Sequence, residues 1–413
     1  MKIGIISDMH LGHRQYGSID RENDFYHQYL LCINKMKEKN IDLAIIAGDL
    51  FDKPNPSPKA MAIYREGLDN LDGIPIIAIK GNHTMLMRDD HYSVDNYFSD
   101  AMMDNYHLLD DDTFSFPEEK VTVQGIYYRS DSNLSEFIET QQKLSKSLNK
   151  NDFNILVVHQ AFKEYCGFTG AELSMSDLNL EGIDLVICGH IHSHALEMYN
   201  DTIFVQPGSL ERMNTTEALD AQENGKGFWI VDVDEKSIDF FPIDLPRDFF
   251  LGDIEFDSSE EIEKHFEDLN EALSKMEMAP IISYNYYDNS GNIVRVRELL
   301  KDSNKNCLIN NSNVYDMTED AISLEISDGE VPTVIDVINA QEGLTENQKK
   351  LMNDIHSAYK GGLDDSVGGI IDTFFDKNIK TEYEVDNTKV EKMIEEIKEY
   401  EDFFENLGGK KDV

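Results

Sequence analysis

Residues 2–10, KIGIISDMH, form a short apolar run that stops on an aspartate and a histidine. Apolar runs of four to eight residues closed by glycine or turn residues read as strands buried on both faces, the kind that fill parallel sheets. The same construction recurs in DLAIIAGD (42–49), PIIAIKGNH (75–83), NILVVH (154–159) and DLVICGH (184–190). Five predicted strands therefore deliver Asp8 and His10, Asp49, Asn82 and His83, His159, and His190 with His192, all at or just past their C-terminal ends.

Strand ends of such a sheet gather at one rim, and Asp, Asn and His supply the oxygen and imidazole donors that suit manganese, iron or zinc. Seven candidate ligands and an extra histidine are too many for one ion. They suit two ions sharing a bridging carboxylate, an arrangement that clamps a phosphate ester during in-line attack on phosphorus. Any one of these residues alone would pass as a helix cap or a surface side chain; that reading fails for all eight together.

Working outward, Phe25, Tyr29, Cys32, Ile33 and Met36 recur at helical spacing, so the spacing predicts a crossover helix over 22–39. Residues 58–70 repeat the pattern with Met61, Tyr64 and Leu68. Strands alternating with helices imply right-handed βαβ units. From 202 to 242, TIFVQ, GFWIVDV and SIDFF read as closely spaced strands with no helix between them. They predict a second, more antiparallel sheet, and hence an α/β two-sheet sandwich flanked by helices.

In this order and at these spacings, DMH, GDLFD, GNH, VVHQ and GHIH resemble the calcineurin-like metallophosphoesterase superfamily. The DMHLG opening, GDLFD without a following Arg-Gly, and QPGSLER at 206–212 resemble the SbcD-type DNA double-strand-break repair nucleases within it. The resemblance covers roughly the first 245 residues. It implies two divalent ions, most often manganese, with Asp49 bridging, Asp8, His10 and His192 completing one position, and Asn82, His159 and His190 the other. It implies that His83 stabilises the transition state or protonates the leaving oxygen. It also implies DNA as substrate, an SMC-like (SbcC-type) coiled-coil ABC ATPase as partner, and a homodimer.

Two departures stand out. Thr84 follows GNH where the family usually has Asp or Glu, which leaves Asp89 or Asp90 to orient His83; Asp52 follows GDLF where some members carry a histidine. His13, Asp52 and His194 are expected behind the ligands. Arg14 and Arg88 are expected near phosphates, with Lys53, Lys80 and Arg212 as further basic residues beside the motif loops. Competing functions are a phosphoesterase acting on a phosphoprotein or cyclic nucleotide, and a non-catalytic scaffold. The missing Arg after GDLFD weighs against the phosphoprotein version, and the complete ligand set against the scaffold.

The domain reading is a phosphoesterase core over 1–246, a small α+β cap over 247–330, and a linker with a helical partner-docking segment over 331–413. In the cap, EEIEKHFEDLNEALSKM reads as a helix and IISYNYYDNSGNIVRVREL as two strands around an Asn-Ser-Gly turn. At the end, Val390, Met393, Ile394, Ile397, Tyr400, Phe404 and Leu407 form an apolar stripe closed by Gly408 and Gly409, with 364–379 as a second candidate contact.

The formal charge of −43 over 413 residues is spread along the whole chain, a balance that repels DNA. It is expected either of a surface adapted to a salt-rich cytoplasm or of a protein whose DNA grip comes from a basic partner. No run of eighteen apolar residues occurs, so a cytoplasmic, nucleoid-associated protein with no membrane partner is expected. Four dispersed cysteines without a CxxC pair read as reduced thiols.

Overall fold

A computed structural model describes residues 1–84, 93–101, 105–165 and 173–318. The chain divides into a unit of Met1–Ala321 and one of Ile322–Val413. The second unit, with the predicted stripe at 390–407 and the segment 364–379, lies outside the described residues, as do Arg88, Asp89, Asp90 and Cys166.

The first sheet begins with β1 (Lys2–Ile6), β2 (Leu43–Ile46), β3 (Ile76–Ala78) and β4 (Tyr106–Leu108), paired in parallel. Between them run α1 (Ile19–Glu38), α2 (Pro58–Asn70) and α3 (Val94–Ala101). Ser18 and Ser57 start α1 and α2 by accepting the Arg21 and Ala60 backbone N–H groups, which serine does well at an N-cap, and Pro58 sits where its missing N–H costs nothing. Next, β5 (Asp112–Phe116), β6 (Val121–Ile126), β7 (Phe153–His159), β8 (Leu185–Gly189), β9 (Ala195–Tyr199) and β10 (Thr202–Gln206) form a second sheet in the order β5-β6-β7-β8-β10-β9, with α4 (Leu134–Leu144) following β6. After α5 (Thr215–Asn224), the chain returns to the first sheet, where β11 (Lys226–Asp232) pairs antiparallel with β1 and β12 (Ser237–Ile243) pairs with β11.

Alternation along the strands shows how the layers are held. Ile3, Ile5, Leu43 and Ile45 meet Val121, Val123, Ile155, Val157, Leu185 and Ile187 between the sheets. Ile6, Ala44 and Ile46 face the helices over the first sheet, while Leu156, Val158, Val186 and Cys188 face the layer that covers the second. A period of two with both faces buried is what continuous apolar runs specify.

One expectation is corrected at 202–242. The three predicted strands do not make a sheet of their own. The strand at 202–206 joins the second sheet parallel to β8, the other two join the first sheet, and a ten-residue helix, α5, lies between. Only Ala218 and Ala221 of α5 are buried, so its sequence carries almost no apolar period to read.

Beyond it, β13 (Phe249–Phe256), α6 (Ser259–Ser274), β14 (Ile281–Asp288), α7 (Ile293–Ser303), β15 (Ile309–Asn310) and β16 (Asn313–Asp316) form a small module whose strands all pair in parallel with β14. Ile262, Phe266, Leu269 and Leu273 of α6 are buried against the sheet, as their spacing predicts. The second predicted strand after the Asn-Ser-Gly turn is instead α7. Its Ile293, Val296, Leu299 and Leu300 have helical spacing that the β-branched IVRV run conceals.

Candidate metal centre

β1, β2 and β3 are neighbours in the first sheet, β7 and β8 in the second, and the C-terminal ends of all five converge. Asp8, His10, Asp49 and His159 are fully buried there. The loops after β1 and β2 are zipped together by N–H donors of Asp8, His10 and Leu11 to the carbonyls of Gly48, Asp49 and Leu50 at 3.0–3.2 Å. This ladder holds Asp8, His10 and Asp49 with left-handed backbone, φ between 44° and 51°, and His190 also has a positive φ of 94°. Each such residue costs roughly 1–3 kcal/mol, a strain that concentrates at functional sites.

Glycines make the approach possible. A Cβ on Gly81 would overlap the Asp49 carboxylate, and one on Gly48, itself at φ 98°, would overlap the His159 ring. The GD and GN pairs of the sequence are thus packing requirements.

Donor atoms of Asp8, His10 and His192 lie within 4.8 Å of one another, as do those of Asp49, His159 and His190. Asn82 joins the second group, its Oδ1 3.1 Å from His159 Nε2 and 3.0 Å from His190 Nδ1. Asp49 stands between the groups, with Oδ2 3.2 Å from His159 Nε2 and 3.9 Å from His10 Nε2. A third group of His10, Asp49 and His83 overlaps both.

Hydrogen bonds fix which nitrogens face inward. His159 Nδ1 donates to the Ala47 carbonyl at 2.8 Å, which in the neutral ring leaves a lone pair on Nε2 aimed at two oxygen acceptors. His192 Nδ1 meets Glu217 at 3.0 Å and turns its Nε2 toward His10 Nε2 at 3.1 Å. Such a concentration of carboxylate, amide and imidazole acceptor atoms fits divalent cations. The charges say the same. Burial raises Asp8 above the usual carboxylate range and drives His10 well below the usual imidazole range. Burial also lowers His190, with the neighbouring His159 charge, to about 3. Burial disfavours charge on His159 too, yet the Asp49 carboxylate outweighs it and lifts His159 to about 9.

His83 sits at the rim of this cluster. Its Nδ1 donates to the Asp52 backbone carbonyl at 2.9 Å and its main-chain N–H to Asp49 Oδ1 at 2.9 Å. The partner described for the ring is thus a backbone carbonyl, while Asp89 and Asp90 lie outside the described residues. The Asp52 side chain holds His13 Nδ1 at 2.7 Å, so one residue brackets two imidazoles. His194 points elsewhere: its Nε2 donates to the Asn224 carbonyl and its ring stacks on Phe240.

Of the basic candidates, Arg14 is engaged by Glu22, Lys80 by Asp110, and Arg212 is buried against Glu211; Lys53 is exposed. Glu217 and Lys226 escaped the sequence reading. Lys226, fully buried, donates from Nζ to the His192 carbonyl at 2.7 Å. Neither belongs to a strand-end motif, so no local pattern marks them.

The calcineurin-like phosphoesterase family model matches residues 1–194, which carry all seven candidate metal ligands and His83. DNA double-strand break repair protein Mre11 of Methanocaldococcus jannaschii is 30% identical over 279 residues, 66% of this chain and 72% of that protein. The chain belongs to the Mre11 family of calcineurin-like phosphoesterases. The Mre11 protein of Methanococcus maripaludis is 27% identical over 378 residues, 86% of this chain and 98% of its own length. That of Sulfolobus acidocaldarius is 29% identical over 294 residues, covering 68% and 74%. The two-sheet architecture is that of a calcineurin-like metallophosphoesterase, and membership makes this chain an enzyme that depends on divalent metal. Among the described residues no helix is long and apolar enough to cross a membrane.

Proposed function

We propose that the chain is a two-metal DNA nuclease of double-strand-break repair. The observation that carries this is the Asp49 carboxylate standing between two donor groups, 3.2 Å from His159 and 3.9 Å from His10. Asp8, His10 and His192 would hold one ion, Asn82, His159 and His190 the other, and Asp49 would bridge them. Family membership points to manganese, and the mixture of carboxylate, amide and imidazole donors accommodates it as it would iron or zinc. When bound, two such ions activate water and neutralise the charge that builds on phosphate oxygens during in-line displacement.

The chain's own groups do the rest. Asn82 contributes a neutral oxygen, which limits the negative charge that a phosphodiester meets on entry. The buried walls of Asp8 and His10 keep bulk water from screening the site. His83, whose Nδ1–H is held on the Asp52 carbonyl, would act from its imidazolium form, passing the second proton from Nε2 to the leaving oxygen as the P–O bond breaks and returning to the neutral ring.

DNA as substrate is supported by the double-strand-break repair relatives. An SMC-like ATPase partner, a homodimer and a nucleoid location rest on the same family membership. A partner's basic surface also answers a charge balance of −43, since Arg14, Lys80 and Arg212 are already engaged by acidic neighbours. Digestion of linear, circular and single-stranded DNA with and without manganese tests the proposal. Manganese-dependent cleavage that His83→Ala slows by ~10²–10³ is expected. Hydrolysis of bis(p-nitrophenyl) phosphate without cleavage of any DNA would transfer the reading to another phosphodiester.

A further inference from the structure

We propose that Glu217 is a positioning residue that fixes the tautomer and ring orientation of His192, and so sets the affinity of the ion position shared with Asp8 and His10 without governing the other. The proposal rests on the reading of His192 as a ligand. The Glu217 side chain is only 13% exposed, and its Oε1 lies 3.0 Å from His192 Nδ1. An ionised carboxylate can only accept, so the ring hydrogen is on Nδ1. The Nε2 lone pair is then the one that lies 3.1 Å from His10 Nε2 and 3.8 Å from Asp8 Oδ1.

Glu217 is itself immobilised. Its Oε2 accepts the Met213 N–H at 2.9 Å, its Oε1 accepts Asn214 Nδ2 at 2.6 Å, and its own N–H donates to Asn214 Oδ1, the N-cap of α5. A carboxylate in the first turn of a helix is also favoured by the helix dipole. The backbone of His192 is pinned from the opposite side, where its carbonyl accepts from Lys226 Nζ and from the Ser209 N–H. At the far end of the same helix, the Asn224 carbonyl accepts from His194. One short helix thus splints the 192–194 segment at both of its ends. The other donor group is oriented differently, with His159 held by the Ala47 carbonyl, and that difference is the reason to expect selectivity.

A purely local role would make Glu217 a cap for α5 and nothing more. The two roles separate when manganese chloride is titrated calorimetrically into the metal-free full-length protein and its Glu217→Ala, Glu217→Gln and His192→Ala variants. Wild type should bind in two steps, and His192→Ala should lose or weaken one of them. Glu217→Ala should weaken that same step by ~10–100-fold, the usual consequence of losing the partner behind a ligand, and leave the other unchanged. Glu217→Gln, which keeps an acceptor oxygen for Nδ1, should fall between. Nitrogen-15 spectra of labelled histidines should show one His192 tautomer in the wild type and a mixture in Glu217→Ala. If Glu217→Ala retains both steps while His192→Ala loses one, or weakens both steps alike, the positioning role is wrong. If His192→Ala itself retains both steps, the ligand reading falls first and the proposal with it.

Discussion

His83 lies within 4.8 Å of donor atoms of His10 and Asp49, yet its ring is hydrogen-bonded to a carbonyl at 2.9 Å and the two donor groups are complete without it. His83→Ala should therefore keep its metal content and lose ~10²–10³ of the cleavage rate, the usual effect of removing one proton donor or charge-stabilising group. Metal analysis beside a cleavage assay checks this; loss of an ion would make His83 a ligand. Gly81→Ala should act in the opposite way, because its methyl group would displace the Asp49 carboxylate. Metal content should fall while stability drops by only ~1–3 kcal/mol, the range for overpacking. The strand-end residues were legible because each follows an apolar run. Glu217 was not, since its partner is 25 residues away in sequence and only the fold brings them together.

Among the elements, α1, the loop after β10 and the start of the small module are tied by buried charges. Arg21, fully buried, reaches Gln15, Asp24, Glu211 and the Arg212 carbonyl, while Arg212 donates to Glu211 and to the Arg247 carbonyl, and Arg247 returns to Asp24. Glu211 and Arg212 of QPGSLER are thus part of a structural knot, in which the Arg212 side chain is buried and engaged by Glu211 and the Arg247 carbonyl. Burial alone would raise the Glu211 carboxyl, but Arg212 and Arg21 hold it below its ordinary value. A depressed carboxyl stabilises the fold above its unfolded pKa, ~4.3, and that contribution is lost as pH falls through the folded value. Glu211→Gln should cost ~3–5 kcal/mol at pH 7, as expected for breaking a buried ion pair. The gap between variant and wild type should narrow as pH drops below ~4, which denaturation at several pH values would reveal. A gap independent of pH would mean that packing, and not charge, is what Glu211 supplies. At this scale the sequence misled twice, at α5 and α7. In both, too few buried side chains or too many β-branched ones masked a helical period that tertiary packing then imposed.

For the whole molecule, the two-sheet core followed from five apolar runs and two amphipathic crossover helices. The exchange of strands between sheets after residue 202 did not, because strand pairing is a long-range choice that local periodicity does not encode. The terminal stripe at 390–407 belongs to the unit beyond the described residues, and its reading rests on sequence alone. If it docks on a partner ATPase, truncation after Gly369 should leave melting temperature nearly unchanged and single-stranded DNA cleavage intact while abolishing co-purification with the ATPase. Unfolding of the truncated protein would instead place the stripe in its own core, at ~1.5–3 kcal/mol for each buried side chain removed. The central claim is that one carboxylate joins two ion positions into a single phosphodiester-cleaving centre, and metal stoichiometry in Asp49→Asn, measured beside manganese-dependent DNA cleavage, tests it most directly. Wild type should hold two ions per chain, and the variant should lose occupancy at both positions together with cleavage, whereas a variant that keeps two fully occupied ions and wild-type cleavage would contradict it.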